Sequence, residues 1–148
     1  MSKAILLLLS LLFGAFAQAQ IEFTLDTTDF IYIDKDVFDY GAKNVIINNS
    51  LDPNDTVFIW KRVVEDFPDG WETAVCEAEL CHPTTTTTSE FNLGIGESFE
   101  FKLNYYPWGV KDCGNAKIVV ESKLNASNRD SFYSALCTFN ATASVQKA

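Results

Sequence analysis

The chain has 148 residues, 20 acidic side chains against 11 basic ones, and a formal net charge of −9. That balance excludes nucleic acid and anionic membrane surfaces as partners, because affinity for phosphate needs clustered Lys and Arg. Four cysteines, a single histidine and a single methionine (Met1) limit the metal and nucleophile chemistry available.

The first predicted element is an export signal. Lys3 supplies a short positive segment, and an apolar run from Ala4 to Phe16 follows, broken by Ser10 and Gly14. Ala17-Gln18-Ala19 then places small residues where a signal peptidase inspects the chain. A membrane anchor or a buried helix competes with this reading, but a span needs about 20 apolar residues and this run is shorter. Residues 1–19 are therefore expected to form a cleavable signal peptide, and 20–148 one mature domain that does not span a membrane. No Cys follows the cleavage site, so a lipid anchor there is not expected. Loss of Lys3 takes the formal charge from −9 to −10.

After the signal, period-2 alternation replaces helix signals. In Ser98–Tyr105 the apolar face is Phe99, Phe101, Leu103 and Tyr105, and the other face is polar. That is a half-buried antiparallel strand. Thr56–Val64 is apolar on both faces and reads as a central strand. Ile21–Leu25, Phe30–Asp34, Asn44–Asn48, Trp71–Cys76, Glu90–Leu93, Ala116–Lys123 and Ser131–Phe139 are the other candidates. Turn formers separate them: Asp52-Pro53-Asn54-Asp55, Pro68-Asp69-Gly70, Gly94-Ile95-Gly96 and Pro107-Trp108-Gly109. Seven to nine such strands predict an all-β, antiparallel sandwich or barrel. The run from His82 through Thr84–Thr88 to Ser89 is low in complexity and is expected to be a mobile surface loop.

All four cysteines lie in the mature part, which in an exported chain reads as two disulfides. Three pairings are possible. Proximity favours Cys76–Cys81, and the flanks of adjacent predicted strands favour Cys113–Cys137.

Longer motifs carry a resemblance. Trp60-Lys-Arg-Val-Val-Glu, Pro68-Asp-Gly-Trp71-Glu-Thr-Ala-Val-Cys76 with Cys81, Phe91-Asn-Leu-Gly-Ile-Gly-Glu-Ser and Gly114-Asn-Ala-Lys-Ile-Val-Val follow one another along residues 40–140. Together they resemble an immunoglobulin-like β-sandwich module of secreted, Bacteroidota-type gram-negative bacterial proteins. The resemblance implies that fold and export, and it implies no activity. Such modules often sit beside a C-terminal sorting segment. The chain departs from that pattern in its ending, Ser-Val-Gln-Lys-Ala.

Candidate chemistry is sparse. Cys76, Glu77, Glu79, Cys81 and His82 offer zinc-type ligands, but an oxidising compartment converts the thiols to a disulfide. With one His, blue copper and hydrolytic triads lack their residues. The acidic turns at Asp34, Asp36 and Asp39 and at Asp52, Asn54 and Asp55 lack the obligatory Gly of a calcium loop and read as solvated turns. Asn-x-Ser/Thr sequons begin at Asn48, Asn54, Asn125 and Asn140.

Aromatics near turns are the better candidates. Trp108, Tyr106 and Trp71 are residues that a β-sandwich can use to stack on sugars or dock a partner. Trp71 and Tyr105 also fit as caps on the core, and Trp60 as core. The expectation is an exported, non-catalytic module, secreted or periplasmic, contacting an unknown protein through the loops around Thr84–Thr88 and Tyr106–Trp108. A glycan partner at the same aromatics is the alternative, and a metal or enzyme site at His82 a remote one. No cofactor is expected.

Overall fold

The structure, a computed structural model, describes residues 20–27, 31–78 and 80–140. The expected signal peptide, 1–19, lies outside the described residues. Ten strands occur among those described: β1 Ile21–Phe23, β2 Ile31–Asp34, β3 Tyr40–Asn48, β4 Val57–Asp66, β5 Glu72–Glu77, β6 Leu80–Cys81, β7 Thr88–Asn92, β8 Ser98–Tyr106, β9 Cys113–Ser122 and β10 Arg129–Phe139. They build two five-stranded sheets, ordered β1-β3-β8-β5-β6 and β2-β10-β9-β4-β7. No helix among the described residues is long and apolar enough to cross a membrane.

The core follows from the alternation. Phe101, Leu103 and Tyr105 of β8 are fully buried, facing Phe58 and Trp60 of β4, Ile118 and Val120 of β9, and Phe132 and Leu136 of β10. Each fully buried apolar side chain of this size contributes roughly 1.5–3 kcal/mol. The Tyr105 hydroxyl crosses the core and donates to the Ser134 carbonyl at 3.0 Å, satisfying the one polar atom on its ring.

Four expectations need correction. Among the described residues there are ten strands rather than seven to nine, the addition being the two-residue β6, too short to show a period. The sheets are not wholly antiparallel: β2 runs parallel to β10, with Ile31 opposite Leu136 and Asp34 opposite Phe139. β3 starts at Tyr40, not Asn44, because Gly41 and Ala42 weaken the alternation there. A Cβ on Gly41 would meet the Lys102 side chain of β8 at 2.6 Å and Asn104 Oδ1 at 2.8 Å, so both side chains would have to shift to admit one. The threonine run is no free loop. Thr88 and Ser89 pair with Lys61 and Trp60 as part of β7, and Arg62 holds the rest through Thr84 and Thr87 carbonyls.

Both disulfides join directly opposed residues of neighbouring strands within one sheet, Cys76–Cys81 across β5–β6 and Cys113–Cys137 across β9–β10. Antibody domains instead bridge their two sheets. Here the sheets are held by packing and by buried polar contacts.

Candidate functional site

Strand register brings three loops to one end of the sandwich. β8 ends where β5 begins (Tyr106 opposite Glu72), β4 ends near the start of β9 (Asp66 opposite Asn115), and β2 ends beside the end of β10. Loops 35–39, 67–71 and 107–112 therefore share that end. They are cross-tied: Trp71 Nε1 donates to the Val110 carbonyl at 3.3 Å, and Thr138 Oγ1 to the same carbonyl at 2.7 Å.

The turn Pro107-Trp108-Gly109-Val110 is closed by the Val110 amide donating to the Pro107 carbonyl at 3.0 Å. Trp108 has φ +52° and Gly109 φ +80°. Positive φ at both central residues defines a type I′ turn, whose first central position favours Asn, Asp or Gly. A tryptophan there costs about 1–2 kcal/mol of backbone strain. Gly109 adopts its conformation without that cost.

The strain holds up a ring. Trp108 is 51% exposed and Phe38, from the β2–β3 loop, 63% exposed. Their centroids are 5.0 Å apart, edge to face. Tyr106 lies 6.0 Å from Trp108 at 24° and 6.1 Å from Phe38. Trp108 Nε1 donates to Glu72 Oε2 at 3.3 Å, which orients the indole. Three aromatic rings thus form one surface cluster, drawn from the end of β8, the turn after it and the β2–β3 loop.

Of the three residues expected to make contact, Trp108 and Tyr106 come together and Trp71 does not join them. Trp71 is 7% exposed and packs on Tyr105 at 6.4 Å as part of the core, so its ring offers no face to a partner. Nor does Thr84–Thr88 join the cluster: it runs along the outer edge of β4 at Arg62, at the side of that sheet opposite β2. Phe38 carries no sequence signal, since it lies outside any alternating stretch. Its one hint is a large apolar residue placed between Asp36 and Asp39 in a turn.

The other candidates are built into the fold. Glu77 pairs in register with core-facing Phe101, so its carboxylate points between the sheets and meets His82 Nε2 at 2.9 Å. The His82 ring packs on Trp60 at 5.2 Å. Cys76, one residue before Glu77, points to the opposite sheet face and bonds Asn104. The thiol and carboxylate positions therefore diverge, and among the described residues no group of three His, Cys, Asp or Glu side chains is placed to hold a metal. Arg62 is also inward-facing. It donates to the Thr73 carbonyl and hydroxyl at 2.7 Å each and pairs with Glu65. Burial pulls its guanidinium below the ordinary value, with Glu65 opposing.

Asp55 is not a solvated turn residue. It is 3% exposed and accepts from Asn128 Nδ2 at 2.6 Å, from Ser50 Oγ at 3.1 Å and from Ser122 Oγ. Asn48, which heads one sequon, is fully buried and donates to the Asp55 and Leu93 carbonyls at 2.8 Å, so the folded domain gives no access to it. This network pins the β3–β4 and β9–β10 loops at the end of the sandwich opposite the aromatic cluster.

No protein-family model matches the chain, and no curated protein matches it in sequence. Solved structures do match. The N-terminal domain of PorA aligns over 80% of this chain and 97% of that domain, with a TM-score of 0.61 and 14% identity. A family 123 glycoside hydrolase from Clostridium perfringens aligns over 78% of this chain but 23% of its own length, with a TM-score of 0.50 and 11% identity. A PapD-like domain of human CEP192 covers 84% of this chain and 88% of that one, at a TM-score of 0.48 and 10% identity. At such identities the likeness concerns architecture, and in architecture the chain is an immunoglobulin-like β-sandwich.

Proposed function

We propose that this protein is an exported, non-catalytic module that works by contact, docking a partner protein at the cell envelope or outside it through the Phe38–Tyr106–Trp108 end. One observation carries the reading. The fold places a tryptophan in a left-handed turn position that Asn or Gly would fill without strain, and so holds an exposed aromatic cluster in place. Strain of this kind gathers where function needs a fixed side chain. Exposed aromatics are also enriched where proteins bind one another. Two disulfides support a location in an oxidising compartment. Engagement of the single histidine with Glu77 and Trp60 inside the fold supports a non-catalytic role.

The test is a photo-crosslinking phenylalanine analogue at position 38, in protein expressed by its own host. One reproducible protein adduct is expected, with none from the same analogue at Ile95, which is exposed at the opposite end. Equal adducts from both positions would remove the assignment.

The near-parallel Tyr106 and Trp108 rings favour a second reading, stacking on a glycan. A glycan array with Trp108→Asn as control separates the two. Signal that depends on Trp108 supports the glycan reading, and a blank array sets it aside.

A further inference from the structure

The end of the domain that exposes the aromatic rings is acidic. The aromatic end carries six exposed carboxylates, Asp36, Asp39, Asp66, Asp69, Glu72 and Asp112, against Lys35 and Lys111. Lys35 is itself paired with Asp36. Net negative charge therefore surrounds the exposed aromatic rings. One of these carboxylates, Glu72, also touches the indole directly.

The face of an aromatic ring is the negative end of its quadrupole and attracts a cation placed over it. Carboxylates around such a ring raise the local cation concentration and repel acidic or phosphorylated partners. An apolar partner would gain nothing from this rim and would have to desolvate it.

Building on the docking reading above, we infer that the partner presents a basic segment, with an arginine or lysine laid over the Trp108 and Phe38 rings and further cations facing the acidic rim. Arginine fits best, since its planar guanidinium stacks on a ring while its N–H groups reach carboxylates at the edge. The four-residue turn around Trp108 leaves the half-exposed indole open to an extended segment.

The disulfide-intact protein, labelled at its indole nitrogens, is titrated with a blocked Gly-Arg-Gly-Arg-Gly-Arg-Gly peptide and with the same peptide carrying citrulline for arginine. Citrulline keeps the shape and removes the charge. The Trp108 Nε1–H resonance is expected to shift saturably with the arginine peptide and not with the citrulline one. Affinity is expected to fall about fivefold or more between roughly 50 and 300 mM salt. A similar loss is expected in the Asp36→Asn, Asp39→Asn, Glu72→Gln variant, which keeps an acceptor for the indole. Phosphatidylcholine vesicles form a further arm. Equal shifts with citrulline, no shift with either peptide, or a shift with vesicles alone would each overturn the inference. Its failure is separable from that of the docking reading. A crosslinked partner from position 38 without arginine-peptide binding removes only the cation, whereas the absence of both removes the surface.

Discussion

Replacing Trp108 separates what the residue costs the fold from what it offers a partner. Its ring makes an edge-to-face contact with Phe38 at 5.0 Å and a parallel one with Tyr106 at 6.0 Å. At half exposure these contacts are worth about 1–2 kcal/mol together, near the lower range for aromatic pairs. Against them stands a left-handed backbone penalty of about 1–2 kcal/mol. Trp108→Ala loses the contacts and keeps most of the penalty, so it should destabilise by about 1–2 kcal/mol. Trp108→Asn loses the same contacts but suits a type I′ turn, so it should lie within about 1 kcal/mol of wild type. Asn should therefore exceed Ala by about 1 kcal/mol at a site where neither side chain packs. Urea unfolding followed by the fluorescence of buried Trp60 and Trp71, with both disulfides intact, measures this. At a slope of roughly 1–3 kcal/mol per molar urea, the two midpoints should differ by roughly 0.3–1 M. Identical midpoints, or Ala the more stable, would refute the strained-turn reasoning.

Three further outcomes are expected. His82→Ala leaves the Glu77 carboxyl facing the core without its partner and should cost about 3 kcal/mol, while Glu77→Met with His82→Leu should recover much of the loss by urea unfolding. Asp55→Ala removes the shared acceptor of Ser50, Ser122 and Asn128 and should cost about 3 kcal/mol, read as a fall in thermal midpoint. Burial raises the Tyr105 hydroxyl far above its ordinary value, with its hydrogen bond to Ser134 opposing. The folded state then favours the neutral phenol. That stability is fully present below pH about 10, the unfolded value, and is lost as pH rises toward the folded one. Absorbance at the phenolate band should show Tyr105 ionising together with alkaline unfolding, and Tyr105→Phe should move the unfolding to higher pH.

The strand ladder was legible because burial on one face writes a period of two into the sequence, as Phe101, Leu103 and Tyr105 do. The cysteine pairs were legible because sequence proximity and strand adjacency converge on them. Inward-facing polar residues were not. Arg62, Glu77 and Asp55 look solvent-facing on composition, and only the register places them between or beneath the sheets, where partners far along the chain satisfy them. The aromatic end was half legible. Tyr106 and Trp108 adjoin a visible turn, but Phe38 reaches them from a loop that pattern alone cannot position. Trp71, like Trp108, adjoins a Pro- and Gly-containing turn, Pro68-Asp69-Gly70 before it as against Pro107 and Gly109 around Trp108. Packing against Tyr105 and a bond to Val110 send it inward instead.

The most direct trial of the account is the equilibrium affinity of the partner captured at position 38, purified, for the wild-type protein and for Trp108→Asn. The variant should retain wild-type folding and bind at least about tenfold more weakly, as expected when a central aromatic anchor is lost. Unchanged affinity in a well-folded variant would contradict the claim that this strained turn exists to present a ring.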